Sequence, residues 1–207
     1  ASTYSHAEAA ATTFQTFTIT DSDTSGTYTC TLGGDDAEDF STSISGKVCT
    51  VVWAAAPDYE SPADTDTDNV YDITIAFSDG TNDLAAQTTA VTVTDTNDQT
   101  PSVSVASTYS HAEAAATTFQ TFTITDSDTS GTYTCTLGGD DAEDFSASIS
   151  GKVCTIVWAA NPDYDSPADN DGDNVYDITI AFSDGTNDLA AQTTAVTVTD
   201  TNDQTPS

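Results

Sequence analysis

The chain has 207 residues, with 34 acidic side chains against two lysines, a formal net charge of −32. A surface of that sign repels nucleic acid and anionic membranes, argues against both as partners, and attracts cations. With 37% apolar residues and aromatics spread along its length, the chain exceeds the hydrophobicity of a disordered acidic tail, and it contains no apolar run of about 18 residues able to cross a membrane.

Taken in order, HAEAAA at 6–11 is the one helix-tolerant piece and is too short to stand alone. TDSD at 20–23 sets Asp21 and Asp23 on alternate positions. In TYTCTL, Tyr28, Cys30 and Leu32 alternate with Thr27, Thr29 and Thr31, the signature of a strand with one face buried. Threonine suits the outward positions, because β-branching favours a pleated backbone. GGDD and ISGK then read as turns. Cys49, Val51 and Trp53 share one parity of the next run, so all three are expected to point inward. PDYE ends at Glu60, and ADTDTDN follows with Asp64, Asp66 and Asp68. VYDITIAF alternates again through Tyr71, Ile73, Ile75 and Phe77, SDGTND turns, and VTVT at 91–94 forms a last alternating run before DTNDQTP at 95–101. About seven short strands in some 100 residues predict an antiparallel Greek-key β-sandwich.

The chain then repeats itself. Residues 1–102 align without a gap on residues 106–207, differing only at Thr42/Ala147, Val51/Ile156, Ala56/Asn161, Glu60/Asp165, Thr65/Asn170 and Thr67/Gly172. A period of that length is too long for short solenoid repeats and suits independent domains in tandem. The expected organisation is therefore all-β, with two seven-stranded sandwiches of the immunoglobulin-like type joined end to end, spanning 1–100 and 101–207. Near-identity of adjacent modules suggests a sample of a longer array. SVSV at 102–105 leads into the second module, and Pro101 stops the first module's last strand, since proline has no N–H to donate.

Each module has two cysteines on inward parity, Cys30 and Cys49, then Cys135 and Cys154. Bridges Cys30–Cys49 and Cys135–Cys154 are favoured over free thiols. No CxxC occurs, and His6 and His111 have no second ligand near them in sequence, which disfavours zinc; both histidines read as surface residues. Trp53 and Trp158 read as core.

The remaining acids form short clusters. Alternate-residue spacing puts two carboxylates on one side of an extended segment, and hard divalent cations such as calcium collect carboxylate, amide and backbone oxygens. The plain alternative is a solvated acidic surface. In sequence, AE, TDSDTSG, GKVCT, PDYES, DNVYDITIAFSDG and AVTVTDTNDQTP together resemble the cadherin-like repeat, including the Asp- and Asn-rich version common in giant bacterial surface proteins. DTNDQTP looks like that family's linker motif, PDYE like its DxE motif and TDSDTSG like its DxD motif followed by glycine.

The resemblance implies calcium between modules. Glu8, Asp58 and Glu60 would come from the first module, Asp95, Asn97 and Asp98 from the linker, and Asp126, Asp128 and Asp184 from the second, with the carbonyls of Thr96 and Gln99 completing the shells. Asp21, Asp23 and Asp79 would face a preceding module; Glu113, Asp163, Asp165, Asp200, Asn202 and Asp203 would await a following one. Asp165 replaces the longer Glu60 in the second module, so the next junction is expected to hold its ion more weakly or differently.

A second candidate lies within each module. Asp64, Asp66 and Asp68, and Asp169, Asp171 and Asp173 with Gly172 between the last two, resemble the first half of an EF-hand-type loop. No Glu follows at the twelfth loop position, and Thr67 stands where the second copy has glycine.

These features point to a non-catalytic, calcium-rigidified stalk of an extracellular adhesin or surface filament. Its partners would be neighbouring repeats of the same array, with homotypic assembly into filaments as an extension. The rival is a glycan- or protein-binding module of a secreted protein. It would carry exposed aromatics that differ between modules, whereas here the aromatics repeat identically. An enzyme is the weakest reading: paired acids can do acid–base work, but no nucleophile–base constellation accompanies them.

Overall fold

Alternation of apolar and polar side chains produces a strand in each run the sequence analysis names, although Thr27 and Tyr28 of TYTCTL precede theirs. In a computed structural model, residues 2–10, 12–113 and 117–205 are described. The first module comprises β1 (Ser2–Ala7), β2 (Thr13–Thr18), β3 (Thr29–Gly33), β4 (Phe40–Ser45), β5 (Val48–Trp53), β6 (Val70–Ser78) and β7 (Asp83–Thr94). They form a four-stranded sheet in the order β1-β7-β6-β3 and a three-stranded sheet in the order β2-β5-β4. The second module repeats this with β8 (Thr108–Ala112), β9 (Thr118–Thr123), β10 (Thr134–Gly138), β11 (Phe145–Ser150), β12 (Val153–Trp158), β13 (Val175–Ser183) and β14 (Asp188–Thr199). Its sheets run β10-β13-β14-β8 and β11-β12-β9. The chain is thus all-β, two sandwiches in tandem, folded as the compact units Ala1–Thr96 and Asn97–Ser207.

One pairing departs from the antiparallel expectation. β1 runs parallel to β7, from Ser2 against Thr89 to Ala7 against Thr94, and β8 does the same against β14. The parallel edge strand claims His6 and Ala7, so the start of HAEAAA is strand and turn. Ala11, and Ala114–Ala116 of the copy, lie outside the described residues. SVSV forms no regular strand; Ser102 bridges Thr125, while Val103 and Val105 pack against the second module's core.

Within the first core, Val51, Tyr71, Ile73, Ile75, Val91 and Val93 are fully buried, on the predicted parities. Trp53 is also buried; its ring centroid lies 4.2 Å from Phe40 and 4.8 Å, edge-on, from Tyr71. Offset and edge-to-face contacts of this kind add to area burial. Both disulfides are formed, Cys30–Cys49 and Cys135–Cys154, each stapling the four-stranded sheet to the three-stranded one. The histidines are not surface residues: His6 is half-buried with its ring 5.4 Å from Trp53, and His111 lies 5.4 Å from Trp158.

Turn chemistry accounts for the tight connections. β4 and β5 join through Gly46 and Lys47, with Gly46 at φ +57, the left-handed backbone a two-residue hairpin needs. Gly34 is at φ +100, and a Cβ there would fall 2.5 Å from the carbonyl oxygen of Asp72, so this turn accepts only glycine.

Candidate metal centres

The acids are drawn together by the strand ends that carry them. In the first module β1 ends at Ala7 beside the end of β7 at Thr94, which brings Glu8 against the chain leaving β7. Glu8 is 3% exposed. Its Oε1 accepts from the backbone N–H of Thr96 at 2.6 Å and its Oε2 from that of Tyr59 at 2.6 Å. Glu8, Glu60 and Asp95 each place a carboxylate oxygen within 4.8 Å of the others. Asp58 stands slightly apart in role: its Oδ1 accepts from the N–H groups of Glu60 and Ser61, both at 3.1 Å, which closes the turn presenting Glu60.

A second triad forms at the DxD turn. In the first module it is Asp21, Asp23 and Asp79, again within 4.8 Å. The N–H of Asp23, then the hydroxyl of Tyr28, holds Asp21 below the usual carboxylate range. Asp79 is lowered by the side chain and N–H of Asn82 and the N–H of Thr81.

The second module's counterpart is Asp126, Asp128 and Asp184. Asp128 and Asp184 are both 0% exposed. Burial pushes the Asp184 carboxyl up, but the N–H groups of Asn187 and Thr186 outweigh it and leave the group below its ordinary value. Asn97 donates through Nδ2 to the Asp184 carbonyl at 3.1 Å. The N–H of Gln99 donates to Asp128 Oδ2 at 2.9 Å, while the Gln99 carbonyl accepts from Asn187 Nδ2 at 2.9 Å. Asp98 is exposed and accepts from Gln99 Nε2 at 2.8 Å. The Tyr133 hydroxyl donates to Asp126 at 2.9 Å, and burial, then that carboxylate, pushes its phenol up to about 12.

At the far end of the second module Glu113 repeats the role of Glu8, accepting from the N–H groups of Thr201 at 2.7 Å and Tyr164 at 2.6 Å. Those donors hold it below its ordinary value. Burial, then the nearby charges of Glu113, Asp200, Asp163 and Asp203, pushes Asp165 up. Asp163 Oδ1 accepts from the Asp165 N–H at 3.0 Å, and Asn202 lines a shallow cavity with Asp165 and Asp200.

The donor set suits a hard divalent cation. It consists of carboxylate and amide oxygens, and Asn97 Oδ1 is buried with no hydrogen-bond partner, a neutral oxygen of the kind calcium accepts.

Three elements of these sites escaped the sequence reading. The lysines are one: Lys152 Nζ donates to the carbonyls of Asp126 at 2.8 Å and Asp128 at 3.0 Å, and Lys47 donates likewise to Asp21 and Asp23. Each module's single cation thus braces the backbone of its DxD turn and leaves the carboxylates to face elsewhere. The presence of one lysine at one fixed position per module was the signal available. Asn82 and Asn187, in the SDGTND turns, are the second. The third is Asp36, read only as part of a turn; it is buried and accepts from Thr65 N–H at 2.8 Å and Asp72 N–H at 2.6 Å.

The sequence matches no protein-family model and no curated protein. Solved structures do match. Protocadherin gammaB7 repeats EC3-6, described as a cis-dimer, share 18% identity over 99% of this chain at a TM-score of 0.65. Mouse cadherin-23 EC22-24 shares 21% over 98% at 0.66, and human protocadherin-24 EC1-2 shares 18% over 96% at 0.64. The chain spans 47% of the first of these, 64% of the second and 95% of the third. At these identities the likeness is one of fold: the sandwiches are cadherin-like.

Proposed function

We propose that the chain is a pair of non-catalytic structural repeats from an extracellular adhesin or surface filament, and that calcium bound by the acids flanking residues 95–99 stiffens the array. The observation that carries this reading is the convergence of carboxylates into triads, Glu8, Glu60 and Asp95 in one module and Asp126, Asp128 and Asp184 in the other. In a chain of net charge −32, such groupings are costly unless a cation occupies them.

The ligands are Glu8, Asp58, Glu60, Asp95, Asn97, Asp98, Asp126, Asp128 and Asp184, with the carbonyls of Thr96 and Gln99. Asp21, Asp23 and Asp79 serve a preceding repeat. Glu113, Asp163, Asp165, Asp200, Asn202 and Asp203 serve a following one. Bound calcium supplies a compact positive charge that turns mutually repelling groups into ligands. Two disulfides suit an oxidising, extracellular compartment, where calcium fills even sites of about 10⁻⁴–10⁻³ M. The partners are neighbouring repeats of the same array, and self-association into filaments follows from the same modules.

Small-angle scattering and thermal unfolding of the chain in calcium and in EDTA test the reading. Calcium is expected to narrow the distribution of interatomic distances and raise the midpoint. The gain is about 2.7 kcal/mol at 100-fold excess over the dissociation constant. An unchanged midpoint and radius of gyration would overturn it, and saturable binding of a glycan by calcium-free chain would favour a binding module instead.

A further inference from the structure

We propose that the loop at residues 64–69, and its copy at 169–174, is a divalent-cation site internal to each module and independent of the acids around residues 95–99. The loop joins β5 to β6. Asp64, Asp66 and Asp68 each bring a carboxylate oxygen within 4.8 Å of the others. Three acids alone are no site, but Asp64 adds a separate observation. Its side chain is 3% exposed; Oδ2 accepts from the N–H of Asp68 at 2.8 Å, while Oδ1 is buried with no hydrogen-bond partner.

The copy repeats the arrangement. Asp169 is 6% exposed, its Oδ2 accepts from the Asp173 N–H at 2.8 Å, and its Oδ1 is again buried without a partner. A carboxyl oxygen taken out of water and left without a hydrogen bond is unfavourable. Twice, at the same position, the fold accepts that cost at the centre of an acidic loop, and a bound cation removes it.

The scaffold holding the carboxylates is built without the ion. Buried Asp36 accepts from Thr65 N–H, the Asp64 carbonyl accepts from Thr67 N–H at 3.3 Å, and Asp68 Oδ1 accepts from Val70 N–H at 2.8 Å. Among the described residues both lysines are engaged elsewhere, by the carbonyls of the DxD turns. Two of the six differences between modules fall here, and one relieves strain: Thr67 sits at φ 58, where the copy has Gly172 at φ 75. Left-handed backbone is unfavourable for a β-branched residue and free for glycine. Calcium takes six to eight oxygens in flexible geometry whereas magnesium demands a near-ideal octahedron, so a loop of alternate-residue carboxylates suits calcium.

The test is the number of calcium ions bound by the full chain, measured by equilibrium dialysis and calorimetry with calcium alone and with magnesium in competition. Asp66→Asn, Asp68→Asn, Asp171→Asn and Asp173→Asn are combined in one variant; asparagine keeps the acceptor for Val70 N–H, and circular dichroism checks folding. Asp95→Asn with Asp98→Asn forms the second variant. The loop variant is expected to lose two ions per chain while the second variant keeps them. Unchanged stoichiometry and affinity in the loop variant, or loss of all binding in the second variant, would overturn the proposal. Loss confined to the loop variant leaves this site standing and refutes the role assigned to the acids of residues 95–98.

Discussion

Glu8 illustrates how one side chain joins three segments: its two oxygens take the N–H groups of Tyr59 and Thr96, and it is almost wholly buried. Glu8→Ala leaves two donors unsatisfied, at about 1–3 kcal/mol each. A fall in urea midpoint in EDTA, before calcium enters, is therefore the expected result; a change seen only with calcium would show that Glu8 is a ligand without a structural role. Asp39 and Asp144 behave oppositely. Burial, followed by neighbouring acids, raises both above 3.8, so the native protein holds these protons more tightly than the unfolded chain. Their contribution is complete below 3.8 and is lost as pH climbs through the native values. Asp39→Asn with Asp144→Asn is expected to flatten the decline of melting temperature above pH 3.8 in EDTA, as followed by circular dichroism. These partners were invisible in the sequence, because an acidic residue in a turn carries no mark of which distant N–H it will meet.

Among the elements, the disulfides do the most for the least chain. Each joins β3 to β5, or β10 to β12, across the two sheets with a separation of 19 residues. Cys30→Ala with Cys49→Ala is expected to destabilise the first module by about 3 kcal/mol in the chain-entropy model, measured by denaturant unfolding of the full chain. The second module's transition should stay where it was. Strand parity in the sequence already placed both cysteines inward, since a period of two leaves no other face. The parallel pairing of β1 with β7 was not readable in this way: side-chain alternation is the same for either direction, and direction depends on the route the chain takes between sheets.

For the whole molecule, the net charge of −32 sets the terms. Without divalent cations, self-repulsion opposes the folded state, and salt weakens it, with a screening length of about 10 Å at 0.1 M. In EDTA the melting temperature is expected to rise with sodium chloride; in saturating calcium that dependence should shrink, because the same carboxylates are then neutralised locally. Asp98→Ala offers a sharper contrast. Asp98 is exposed and accepts from its neighbour Gln99, so both modules should unfold at unchanged midpoints in EDTA while the calcium-dependent change in scattering is lost.

Composition, the internal repeat and the period-two alternation were enough to establish an all-β pair of sandwiches, their core parities and the pairing of cysteines, because each depends on local pattern and burial alone. The acid clusters were also visible as clusters. Glu8 and Asp95 are far apart in sequence and only the family resemblance grouped them; what brings their oxygens within reach is the pairing that sets Ala7 beside Thr94 in the folded chain. So too for the solitary lysines and the buried Asp36, whose roles arise from hydrogen bonds between segments that sequence order keeps apart, and for the Asp64 oxygen that the folded loop buries without a partner.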